Sequence, residues 1–264
     1  MREFGRRLAC GLLLLLLPEA SRAGAWTQDA HHWLTISTID YARALDGYDG
    51  RGNAKAPIRF TKLNSRDLVE YGWNDRLTLF AAPEYVVAES IWADKAPVFA
   101  HALSIEVGAR YRVLDKFGIF SLQASYRNSG AFDLSNSRST DTASIAELRI
   151  LYGKNFKLLG WNGFADVEFA ERDITHPRPN ETLLDLTGGI WFGAKTMVML
   201  QSFNVVSGGD ADPPDTYFRT HKIELSVVRK LWGRYSMQLG AFIAPAGQNS
   251  LVEQGITVGV WWQT

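Results

Sequence analysis

Through most of this chain, apolar and polar side chains alternate with a period of two, which places one class of side chain on each face of an extended strand. Between Phe99 and Arg112 the odd positions Phe99, His101, Leu103, Ile105, Val107, Ala109 and Tyr111 are mostly apolar. The even positions Ser104, Glu106, Gly108, Arg110 and Arg112 are polar, small or charged. The same rhythm predicts strands around 120–127, 146–153, 184–192, 222–227, 236–243 and 255–262. Segments 58–73 and 197–206 alternate poorly, and their faces stay unassigned. Pro83 has no amide hydrogen for a ladder and is placed at a strand end or a bulge.

Alternation suits a soluble sandwich with an apolar interior as well as a membrane barrel with an apolar exterior. Three further features select the barrel. The segments are about ten residues long, the span of a tilted strand crossing a bilayer. Tight turns near Asn74-Asp75, Leu114-Asp115, Asn155–Leu159, Ala194–Thr196 and Trp232-Gly233 interleave with longer polar loops near 43–57, 92–97, 128–141, 173–181, 207–216 and 245–250. Tyr71, Trp73, Tyr111, Phe117, Tyr152, Phe156, Trp161, Phe192, Trp232, Tyr235 and Trp262 all flank the tight turns, as a girdle at one membrane interface would. The predicted fold is all-β, a transmembrane antiparallel β-barrel of about twelve strands. Closure follows because hydrocarbon offers no partner to a free sheet edge.

The first residues add a compartment. Arg2, Arg6 and Arg7 precede the apolar run Leu12–Leu17, which Pro18 ends before small residues begin. That is the layout of a secretory signal peptide, and the run is too short for a spanning helix. Cleavage after Ala23 and after Ala25 both satisfy the small-x-small rule, and the first is taken here. The chain then divides into a signal peptide, 1–23, and a barrel, 24–264. Arg6-Arg7 lacks the rest of a twin-arginine signal. Cys10 precedes the apolar run, so it marks no lipid anchor, and the mature chain holds no thiol. The expected location is the outer membrane of a Gram-negative bacterium, with both termini periplasmic and lipid as the surrounding partner.

Charge excludes one class of partner. The whole chain balances 28 basic against 28 acidic residues; losing Arg2, Arg6, Arg7, Arg22, Glu3 and Glu19 leaves 24 against 26. No basic surface for nucleic acid is implied. If the odd and even faces hold, the lumen receives Glu84, Glu106, Arg110, Arg112, Glu147, Arg149, Glu168, Asp185, Lys222 and Glu224. This mixed lining can fill a narrow barrel with ion pairs, Glu147 with Arg149 and Glu106 with Arg110, or form a polar path for solute. Trp191, Trp261 and Phe242 share the polar faces, where rings occupy space or stack on sugars. The loops Asp46-Gly47-Tyr48-Asp49-Gly50 and Gly208–Asp212 lack the spacing of a calcium site and read as solvated turns.

An enzyme finds little support. The histidines are His31, His32, His101, His176 and His221. His101 and Ser104 are three apart on one strand and point to opposite faces, so they cannot form a hydrogen-bonded dyad. No nucleophile triad, metal motif, phosphate loop or cofactor signature occurs.

Ala23-Gly24-Ala25-Trp26-Thr27-Gln28 and Glu70-Tyr71-Gly72-Trp73-Asn74-Asp75-Arg76-Leu77-Thr78-Leu79 resemble segments of the Xag-type outer-membrane proteins of exopolysaccharide loci. Ile105–Arg112 and Ala146–Gly153 add to the likeness, which extends more distantly to the barrels of the phenol-degradation meta-pathway transporter family. The resemblance implies a barrel accessory to exopolysaccharide production or export, with no catalytic residue to carry over. A passive uptake channel for small hydrophobic or aromatic compounds is the alternative expectation, and a structural or adhesin-like surface barrel the third. The possible cargo is accordingly polysaccharide or a small solute.

Overall fold

The computed structural model describes residues 24–92, 97–129, 143–175, 178–209 and 217–264. Its strands are β1 (Trp33–Tyr48), β2 (Ala54–Asn74), β3 (Leu77–Trp92), β4 (Val98–Leu114), β5 (Ile119–Ser129), β6 (Ala143–Leu158) and β7 (Trp161–Ile174). They continue with β8 (Glu181–Phe192), β9 (Thr196–Ser207), β10 (Arg219–Lys230), β11 (Tyr235–Gln248), β12 (Ser250–Leu251) and β13 (Gln254–Gln263). β12 and β13 are one wall strand interrupted at Val252-Glu253, because both pair with β1. The wall therefore has twelve antiparallel strands. Each pairs with its sequence neighbour, and β1 closes the ring by pairing with β2 on one side and with β12 and β13 on the other. No backbone edge is left for lipid to desolvate.

The outward positions explain why the alternation is visible in the sequence. Ile39, Leu103, Ile105, Val107, Leu148, Ile150, Leu186, Leu225, Leu239 and Val260 all lie exposed on the outside. Trp33, Trp73, Tyr111, Phe117, Tyr152, Phe156, Trp161, Phe192, Trp232 and Tyr235 are exposed around the tight-turn end, where amphipathic rings suit the headgroup region. An exterior facing hydrocarbon favours apolar side chains, so along most strands the constraint is written residue by residue.

Several expected boundaries shift. β1 and β2 extend well into 43–57, leaving only a short connection from Asp49 to Asn53. There Asp49 Oδ1 accepts hydrogen bonds from the Arg51 and Asn53 amides, both 2.8 Å. Those bonds, first among them the one from Asn53, hold the Asp49 carboxyl below its ordinary range. Its contribution to loop order is thus complete at neutral pH and lost as pH falls through the lowered value. At 245–250 there is no long loop either, since β11 turns sharply through Asn249 into β12. β6 runs to Leu158, so the turn expected at Asn155–Leu159 narrows to Leu159-Gly160.

Pro83 lies inside β3, not at an end or bulge. It keeps its place opposite Ile105 of β4, while the β2–β3 ladder skips Asp67 and Leu68 opposite Ala82 and Pro83. The missing amide hydrogen is absorbed by that local gap, and the register is the same on both sides of it. Segment 58–73 belongs to β2, whose outward-facing Arg59, Thr61, Ser65 and Asp67 are polar, and this is why its alternation cannot be read. Segment 197–206 belongs to β9, where inward Met197, Met199, Phe203 and Val205 are as apolar as outward Val198 and Leu200.

Candidate functional site: the lumen and its floor

The chain enters the barrel before it builds the wall. Residues 24–32 run across the lumen at the tight-turn end, from β7 past β6, β4 and β3 to the start of β1. Ala25 donates its amide to Asp166 Oδ1 at 2.8 Å, and its carbonyl accepts from Ser121 Oγ at 2.6 Å. Arg110 Nη1 donates to the Trp26 carbonyl at 3.0 Å. The Gln28 amide donates to Thr78 Oγ1 and its side-chain Nε2 to Glu70 Oε2, at 2.8 and 2.6 Å. A strand-free backbone buried inside a barrel needs partners for its polar groups, and these inward side chains supply them.

The Trp26 ring seals this segment into an apolar floor. It packs edge-on against Phe164, ring centroids 5.8 Å apart, in a cluster with Ala25, Leu151, Trp191, Met197, Met199, Val228 and Trp261. Gly153 is the reason the ring fits, because a Cβ there would lie 2.6 Å from the indole. We predict that Trp26→Ala empties this position while changing no charge. The expected result is a single-channel conductance higher than wild type by roughly twofold or more, since a ring-sized obstruction leaves the narrow section. Equal conductance in planar bilayers would show that Trp26 does not obstruct the path.

Above the floor the inward side chains are charged and cross-linked. Arg127 bridges Glu84 and Glu106 at 2.9 and 2.8 Å, and Arg66 reaches Glu106 at 3.2 Å. Arg149 holds Glu147, Glu168 and Asp185 at 2.7, 2.5 and 2.8 Å. Arg172 joins Glu147 to Glu181. On another part of the wall Glu253 accepts from Lys62 and Lys222, at 2.7 and 3.1 Å, and Lys222 lies 4.6 Å over the Phe242 ring. Asp40 and Glu224 are joined through Thr257, whose hydroxyl lies 2.7 and 3.4 Å from their carboxylates.

Among the described residues, two cavities open into the lumen. The larger, about 630 Å³, lies among these charges and reaches down to Phe164, Met199 and Trp261. The smaller, about 370 Å³, opens at the tight-turn end between His32, Lys230, Arg234 and Gln263 and reaches up to Trp191 and Trp261. Trp261 lines both cavities, and its indole nitrogen donates to Gln238 Oε1 at 2.9 Å.

Of the residues read from sequence as pore-lining, Glu84, Glu106, Arg110, Glu147, Arg149, Glu168, Asp185, Lys222 and Glu224 line the larger cavity. Arg112 does not. It sits at the tight-turn rim and donates to the Asp75 carbonyl at 2.6 Å. Glu147 and Arg149 pair as expected, but Glu106 and Arg110 do not. Arg110 lies 3.0 Å from Glu70, while Glu106 takes Arg66 and Arg127. Four residues along a strand is roughly 13 Å, whereas facing residues on adjacent strands, as Glu106 and Arg127 are, lie about 5 Å apart; the long side chains of Arg110 and Arg66 reach across β3, between β4 and β2. Asp40, Arg66, Glu70, Arg127, Asp166 and Arg172 were missed. Glu70 and Arg66 lie in the segment whose faces could not be read and Asp40 where no strand was read, whereas Arg127 lies on a polar face that was read, and Asp166 and Arg172 share the parity of Glu168 on β7, so the period of two was enough to include these three.

Trp191, Trp261 and Phe242 are all buried inside the barrel, and the Trp191 ring lies 5.2 Å under the Lys230 ammonium. His101 faces outward against the Tyr85 hydroxyl and His221 meets Asn204, while His176 lies outside the described residues. The loop at Gly208–Asp212 is also outside them from position 210 onward. No cluster able to hold a metal occurs among the described residues.

No family model and no curated protein matches the sequence. Solved structures do match in shape. The COG4313 outer membrane channel from Pseudomonas putida F1 superposes with a TM-score of 0.67 at 12% identity, covering 93% of this chain and 100% of that one. The translocator domain of the autotransporter NalP from Neisseria meningitidis gives 0.61 at 10% identity, over 90% of each chain. The KdgM porin gives 0.52 at 11%, over 86% of this chain and 98% of its own. At these identities the likeness is one of fold, that of the outer-membrane barrels.

Proposed function

We propose that this chain is an outer-membrane channel for small polar solutes, with its tight-turn end in the periplasm. The carrying observation is the pair of cavities inside one closed barrel, approached from opposite ends and both lined by Trp261. A charged lumen favours ions and hydrated solutes over the hydrophobic or aromatic compounds of the uptake alternative, because a polar lining is desolvated without return by an apolar ligand. The acids lining the larger cavity, Asp40, Glu84, Glu106, Glu147, Asp166, Glu168, Asp185 and Glu224, outnumber its bases, Arg66, Arg110, Arg127, Arg149, Arg172 and Lys222. The channel therefore prefers cations.

Trp261→Ala tests this directly. Removing the indole joins the cavities, so purified protein in planar bilayers should conduct small ions at least about twofold better than wild type. Silence of both proteins in conductance and liposome-swelling assays would overturn the channel reading. The finer role implied by the Xag-type resemblance is service to exopolysaccharide production or export through the same barrel. It predicts loss of surface polymer, with synthesis intact, in a strain lacking the protein; unchanged surface polymer would remove that role and leave the channel standing.

A further inference from the structure

We propose that removal of the signal peptide after Ala23 creates the cation that Asp166 lacks: the new α-ammonium of Gly24 pairs with this buried carboxylate and pins the N-terminal segment across the lumen. The inference rests on the processing site and not on transport.

Asp166 projects inward from β7 and is only 3% exposed. Among the described residues no lysine, arginine or histidine comes within ion-pair distance of it. Its neighbours are the Ala25 amide and a second carboxylate, Glu168, two positions along the same face. Glu168 is served by Arg149, which also holds Glu147 and Asp185. Arg110 is committed to Glu70. Two adjacent carboxylates removed from water repel each other unless one keeps its proton or each gains a positive partner.

Gly24 brings one to the right place. A Cβ at Gly24 would fall 2.7 Å from Asp166 Cγ and Oδ2 and 2.9 Å from Oδ1. The Gly24 backbone therefore lies directly on the carboxylate, and its nitrogen, one bond from the same Cα, is within reach. The same close approach leaves no room for a side chain, so the position suits glycine.

Hydrolysis of the Ala23–Gly24 bond by a signal-cleaving protease adds hydroxyl from water to the Ala23 carbonyl and hydrogen to the Gly24 nitrogen. A further proton from solvent makes it an ammonium, since an α-amino group titrates near pH 8. Cleavage after Ala25 would instead remove the residue whose amide binds Asp166 and whose carbonyl binds Ser121. Both buried side chains would then lose these partners, which favours the first of the two sites that the small-x-small rule allows.

The test uses full-length protein expressed, processed and purified from outer membranes. Mass spectrometry of the N-terminal peptide is expected to begin at Gly24; a mature chain beginning at Trp26 overturns the proposal. Acetic anhydride, added near neutral pH to folded barrel and to urea-unfolded chain, reads the state of the α-amine. Acetylation in the folded barrel should be slower by roughly tenfold or more, as for a group that reacts only on local opening. Asp166→Asn should bring the folded rate close to the unfolded one, with heat-modifiable gel mobility confirming the barrel. Gly24→Ala, which keeps every charge but drives a methyl group into the carboxylate, should also lose protection and serves where Asp166→Asn does not fold. Equal labelling of folded and unfolded wild type, or full protection retained in the variants that fold, overturns the ion pair.

Discussion

Replacing Arg110 with methionine is expected to destabilise the barrel by about 3–5 kcal/mol, the usual loss when one partner of a buried ion pair is removed. Glu70 is fully buried and Arg110 is 6% exposed, so water cannot take the place of the guanidinium. Arg110 also donates Nε to Gln123 Oε1 at 3.0 Å and Nη1 to the Trp26 carbonyl, so one substitution loosens both the wall and the segment crossing it. Glu70 would keep only the Gln28 amide at its other oxygen. The double variant Glu70→Gln with Arg110→Met should recover a large part of the loss, because no uncompensated charge is then left inside. Urea unfolding in lipid vesicles measures both. A single-variant loss below about 1 kcal/mol, the scale of an exposed pair, would mean that solvent reaches this site.

Arg149→Gln should have the larger effect on conduction. One guanidinium serves Glu147, Glu168 and Asp185, and Glu147 alone keeps a second cation, Arg172. These groups border the larger cavity, so hydration limits the stability cost, and the principal result is a more negative lumen. One unit of charge acting at about 4 Å through water is worth on the order of 1 kcal/mol, or roughly a fivefold rise in relative cation occupancy. Reversal potentials across a low-salt gradient should shift toward the cation equilibrium value. Arg112→Gln, at the rim, should leave the potential near wild type. If the two variants behave alike, charge inside the cavity does not set selectivity.

The contrast between Arg110 and Arg112 shows how far one sequence can be read. Both lie on the polar face of β4 and look equivalent by period two. Whether such a residue borders the cavity or caps a turn depends on its height along the wall. The pairing of Arg110 with Glu70 and not Glu106 depends likewise on strand register, which joins residues forty positions apart. Arg127 was visible on the polar face of its strand, yet its bridge from Glu84 to Glu106 became visible only with the wall closed.

The apolar floor was hidden for another reason. At Met197, Met199 and Val228 the inward side is as greasy as the lipid side, which cancels the alternation that marks a barrel strand. Trp26 lies in a segment without period, and its neighbour Gly153 reads in sequence as another small residue on a polar face. Neither carries a local signal that the two meet.

By itself the sequence determined the class of architecture, the girdle of aromatic residues around one set of turns and the charged lining, because lipid tests each outward residue separately and a strand exposes every second one. Only the tertiary structure decided what occupies the lumen: which charges pair, where Pro83 is absorbed, and that the chain's own residues 24–32 close much of one end. Those are matters of register and closure, set by contacts between distant strands and absent from any single stretch of residues.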